Sequence, residues 1–209
     1  MKRKTRSLTA MAGGLVAIAA IAAAATTGVT TSAADVQDHG GHGSDHGRGA
    51  LSVTNASVKQ DLALVRRATA RFHDLDTAKA AGYQLGWVNG AGARIIANCV
   101  ANVANPAAGA MGYHYFRADL MADDEVNLLE PEVLVYATAD DGDLELVAVE
   151  WIARGPNSNP PGPATAPSVL GTPLHILNPA VGFHIMHAWI WKPNPAGMFA
   201  DFNPDVTCP

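Results

Sequence analysis

Between residues 58 and 73, Leu62, Val65, Thr69 and Phe72 recur at spacings of three and four with charges between them, which predicts an amphipathic helix. Asp76 is placed to cap a short second helix over 77–81, with Gly82 as its stop. Residues 86–92 are turn-rich, and 95–103 fit helix and strand equally well. After Pro106 the period falls to two. Residues 111–116, 132–138, 144–152 and 183–191 alternate and are rich in β-branched and aromatic types, so each predicts a strand. Asp140-Asp141-Gly142-Asp143 between the second and third is a hairpin signal and makes that pair antiparallel. Helices first and strands afterwards predict a single α+β domain, its N-terminal helices packed on a curved, mostly antiparallel sheet.

Residues 153–182 hold seven prolines and no periodic core pattern. Residues 156–167 read as exposed coil, while 169–175 carry apolar positions that can dock; lid and plain connector both remain open. The proline-rich tail, 192–209, reads as pinned across the domain surface.

At the other end, Lys2, Arg3, Lys4 and Arg6 precede an alanine-rich apolar run over 11–25 and then Ser32-Ala33-Ala34, the pattern of a signal peptide over 1–34. The run is shorter than the ~20 residues of a spanning helix, so a retained membrane anchor is the weaker reading. Residues 35–55 form a His/Gly-rich linker expected to be disordered, with His39, His42 and His46 able to scavenge metal, and 56–209 form the domain. Cleavage leaves 10 of the 14 basic residues against 19 acidic ones, a formal charge of −9 that speaks against a nucleic-acid partner. Cys99 and Cys208 are the only cysteines, and in an exported chain they are expected to close one disulfide. The expectation is a secreted protein, extracellular or in the cell envelope, that is free of the membrane once the signal is removed.

The chemistry concentrates in three predicted strands. Alternation puts Leu144, Leu146, Ala148, Glu150 and Ile152 on one face and Glu145, Val147, Val149 and Trp151 on the other, so Glu150 occupies an apolar position. A buried carboxylate there needs an arginine such as Arg94 or Arg117, a metal, or a tuned acid/base role; another register would make Glu145 the odd residue. In 183–191, His187 shares a face with Ile185, Trp189 and Trp191, while His184 sits with Met186, Ala188 and Ile190. His187 is taken as the inner residue and His184 as a core histidine. A helix would unite the two, but Gly182 and Pro193 leave little room for one. His114 stands between Tyr113 and Tyr115, which share the opposite strand face, and either set can look inward. With His114 inside, His114, Glu150 and His187 form a two-histidine, one-carboxylate set suited to Fe, Mn or Zn; copper calls for a third histidine, for which His175 is the candidate. Glu150 is then ligand or base, with Tyr113 or Tyr115 as supporting donor. Glu130 and Glu132 around Pro131 read as solvated loop. No Gly-x-Ser-x-Gly elbow, P-loop or dinucleotide fingerprint is present.

The segments GYHY over 112–115, PEVLVY over 131–136, VEW over 149–151, HAWIWKPNPAGMFA over 187–200 and NPDVTC over 203–208 resemble a family of exported bacterial proteins of unknown function. The resemblance covers 68–208 and implies export and one domain, and it assigns no reaction. The resulting expectation is an exported metalloprotein holding one transition metal ion (Fe, Cu, Mn or Zn), an enzyme that oxidises or hydrolyses a small molecule. The competing expectation is a non-catalytic metal scavenger or small-ligand binder.

Overall fold

The computed structural model describes residues 47–209, with side chains from residue 57 onward. The expected signal peptide and the histidines of the expected linker lie outside the described residues. Helix α1 (Gly47–Thr69) runs into a 3-10 turn (Ala70–His73) and a short helix α2 (Leu75–Ala80). Strands follow: β1 (Tyr83–Leu85), β2 (Trp87–Val88), β3 (Arg94–Ile95), β4 (Val100–Ala101) and β5 (Ala110–Arg117). After the one-turn helix α3 (Leu120–Asp123) come β6 (Val133–Thr138), β7 (Leu144–Arg154), β8 (Ser168–Val169), β9 (Thr172–Pro173), β10 (His175–Ile176) and β11 (Phe183–Ala188). The main sheet has the order β1-β5-β6-β7-β11-β10, with β4 also on β5, and each of these pairings is antiparallel. The helices precede the sheet, so the chain is α+β and single-domain as expected. No helix among the described residues is long and apolar enough to cross a membrane.

The helical face of the sheet is built from the periodic residues. Leu62, Val65 and Phe72 are buried against Tyr83, Tyr115, Leu134, Tyr136, Leu146, Val149 and Trp151. Tyr136 Oη donates to the Phe72 carbonyl (2.6 Å) and Tyr83 Oη to the Pro131 carbonyl (2.8 Å), so these two phenols, the most deeply buried, have partners. The start of α1 lies at Gly47, so residues 47–55 are helical where the sequence suggested linker. The cap of α2 also differs: Asp74, not Asp76, accepts from the Asp76 and Thr77 amides, and the helix begins two residues earlier than predicted. Asp76 instead pairs with Lys79 at the surface.

Among the described residues no long helix covers the opposite face; turns, short strands and the C-terminal tail do. Phe116, Val133, Val135, Ile152, Phe183, Ile185 and Trp189 of the sheet region meet Met121, Trp87, Ile96, Val100, Phe202 and Val206. The cover is stapled by the Cys99–Cys208 disulfide, whose ends are separated by 109 positions in sequence, and by backbone pairing of Ala110 with Asn203. Gly109, at φ +78°, lies so close to the Asn203 carbonyl that any β-carbon would collide with it. Burial on both faces explains why β6 and β7 read as almost continuous apolar runs.

Two sequence expectations change here. The pairing of β6 with β7 shifts between Val135 and Tyr136, leaving Val147 as an extra residue. Leu144 and Leu146 therefore pack on the helical side with Val149 and Trp151, while Val147, Ala148 and Ile152 pack on the other. Strand β11 stops at Ala188, so Trp191 leaves the face of His187, joins the helical side and meets the His73 ring edge-on at 4.4 Å. In the 153–182 segment the docking residues Val169 and Leu174 are buried in the helical-side cluster, so that part does not lie over His187.

Candidate metal centre

Three neighbouring strand pairings bring the site together. His187 of β11 lies directly opposite Glu150 of β7, Glu150 opposite Val133 of β6, and His114 of β5 opposite Val135, two residues further along β6. Partners across antiparallel strands share a face, so all three side chains point to the side covered by the tail. Gly112 makes the local geometry of β5 feasible: at φ +112° it packs against the Tyr136 carbonyl with no space for a side chain.

His114, Glu150 and His187 are 3, 2 and 0% exposed, and each offers a ligand atom within 4.8 Å of the others. His187 Nδ1 lies 3.0 Å from Glu150 Oε1, and His114 Nε2 lies 3.7 Å from Glu150 Oε2. The two imidazoles stand perpendicular, 5.6 Å between centroids. Ligand bonds of about 2.0–2.2 Å set neighbouring donor atoms roughly 3.0–3.5 Å apart, which the His187–Glu150 pair meets and the wider spacings, up to 4.8 Å, would reach by closing in on an ion. Glu150 Oε2 and His187 Nε2 are buried without a hydrogen-bond partner, while His187 Nδ1 faces Glu150 Oε1. Unpartnered polar atoms this deep in the core are the kind of deficit that a cation or trapped water relieves. This buried His-Glu-His group could therefore hold a metal ion.

The electrostatics prepare the same donors. Burial pushes the His114 imidazole down to about 4, against the opposing pull of Glu150, so the ring is neutral at pH 7. For Glu150, burial alone would raise the carboxyl, but His187, then His114 and more weakly His175 outweigh it and hold it below the usual carboxylate range. A neutral imidazole and an ionised carboxylate are the forms that bind metal.

The arginine alternative for Glu150 fails. Arg94 reaches the Leu85 carbonyl and Arg117 pairs with Asp119 and Glu130. Glu145 is the partly exposed partner of Lys192, so Glu150 is the odd carboxylate. Tyr113 and Tyr115 belong to the helical-side cluster, and the sheet separates them from the His-Glu-His group. His175 shares the sheet face of His187, being paired with Ile185, but its ring is half-exposed and lies 3.1 Å from Asp201. His184 is buried apart from the group, its Nε2 3.4 Å from the Pro163 carbonyl.

Two residues escaped the sequence reading. Trp189 stacks nearly parallel to His187 (17°, 6.0 Å), and its indole N–H donates to the Ala200 carbonyl (2.6 Å). Glu132, expected in solvent, is fully buried and accepts from the Ile152 amide at 2.9 Å. Its place directly before β6 was the available signal, because a residue at a strand end can fold inward as readily as outward. No family model, curated protein or solved structure matches this chain.

Proposed function

We propose that the protein is an exported metalloprotein in which His114, Glu150 and His187 hold one transition metal ion used to oxidise or hydrolyse a small molecule. The observation that carries this reading is the burial together of His114, Glu150 and His187, each with a ligand atom within 4.8 Å of the others and with Glu150 Oε2 and His187 Nε2 unpartnered. Two imidazoles and one carboxylate favour Fe, Mn or Zn, and the engagement of His175 with Asp201 argues against a three-histidine copper site. Such an ion supplies Lewis acidity or a bound water of lowered pKa, and two donors from β5 and β11 with one from β7 leave coordination positions open. Glu150 is the one group here fitted to be either ligand or base. The disulfide fits an oxidising compartment, and the basic, then apolar, then small-residue N-terminus supports export.

The test is elemental analysis of the chain carrying H39Q/H42Q/H46Q, dialysed against a mild chelator. One equivalent of a first-row metal should stay bound, and Glu150→Gln should lose it. Absence of retained metal after each ion has been added back would overturn the proposal. A second reading, a metal-free buried ion pair, is favoured by the 3.0 Å approach of His187 to Glu150. Under it, Glu150→Gln lowers stability and leaves metal content at zero in both proteins.

A further inference from the structure

His187 is wholly buried, so an ion arriving from solvent needs a covering element to move. The element most suited to moving is the loop over residues 194–202. Its base is closed by Asn194 Nδ2 donating to the Phe202 carbonyl and Asn203 Nδ2 donating to the Pro193 carbonyl, both at 3.0 Å. Turns within it, Gly197 to Asn194 and Ala200 to Gly197, hold its shape. Beyond the base the tail is fixed by the Asn203–Ala110 bridge, buried Val206 and Cys208, so the loop can swing without peeling the tail away.

The loop is held to the body by few contacts. The Trp189 amide donates to Met198 (2.9 Å), the Trp189 indole to Ala200 (2.6 Å), and Asp201 pairs with His175 at the rim (3.1 Å). The first two press the indole over His187. The third joins the loop to edge strand β10 through a half-exposed side chain, a pair that costs little to break. Met198 and Phe199 at the tip stand exposed, so lifting the loop about its base disturbs core packing only at Phe202.

We propose that residues 194–202 form a flap that admits the metal ion to the His114, Glu150 and His187 group, latched by the His175–Asp201 pair. The proposal rests on that group being a metal centre. Stopped-flow absorption would follow Co(II) uptake by the chain carrying H39Q/H42Q/H46Q. Asp201→Asn and His175→Gln should load about two- to fivefold faster and reach the same single equivalent, as the loss of one exposed ion pair dictates. Trp189→Phe, which keeps the ring and drops the indole bond, should also load faster. Lys192→Gln breaks a pair outside the flap and should keep the parent rate. Unchanged rates in all three flap variants, or equal acceleration in Lys192→Gln, would overturn the flap. A chain that takes up no Co(II) at equilibrium would instead bring down the metal reading, and the flap with it.

Discussion

A carboxyl group in a protein core is informative through its protonation, and the two buried here differ. Glu150 has imidazoles beside it and stays ionised, whereas burial pushes Glu132 up to about 8 against the backbone amides of Ile152 and of Glu132 itself. An unfolded Glu titrates near 4.5. Between pH 4.5 and 8 the unfolded chain releases this proton while the folded one keeps it, so the contribution is complete below 4.5 and drains away as pH rises. Glu132→Gln keeps an oxygen for the Ile152 amide and has no proton to lose. Denaturant midpoints at pH 5 and pH 8 should therefore show the wild type losing a few kcal/mol relative to the variant. Comparison with the variant is necessary because His114, depressed to about 4, tilts the curve the other way between pH 4 and 6.5.

At the scale of elements, helix capping offers a direct comparison of expectation and outcome. Asp74→Ala removes the acceptor of two amides and should lower Tm, while Asp76→Ala should be nearly silent because its partner Lys79 is exposed. Sequence placed the cap two residues late because both aspartates precede the same helical pattern, and only the extended backbone of Asp74 distinguishes them. The three ligand candidates were legible for a firmer reason. A charged or imidazole side chain on an apolar strand face is conspicuous whatever the pairing partner. That a bulge at Val147 would move Leu144 and Leu146 to the helical side was not legible, since alternation assumes an unbroken ladder. Nor was the flap, whose Asn and Gly turns carry no period, or the role of Trp189, which begins where the strand has just ended.

Over the whole molecule, the two sides of the sheet are closed by different means. The helical side is closed mainly by the helices that precede the sheet, helped by Val169 and Leu174, with Phe72 and Val65 packed by ordinary hydrophobic burial. The other side depends on a covalent staple. Cys99→Ser with Cys208→Ser should lower stability by about 4 kcal/mol, given the span of 109 residues that the bond closes, and a chemical denaturation series would read it. The same variant should expose the His-Glu-His side more than the helical side, detectable as faster amide exchange in β5 than in α1.

That staple also ties the cover to a redox state. Cys99 and Cys208 join the chain ahead of β5 to the tail that packs on the face of His114, Glu150 and His187. A reductant that opens the bond loosens that face and leaves the packing of Phe72 and Val65 on the other in place, so access to the three side chains is coupled to the thiol chemistry of the surroundings.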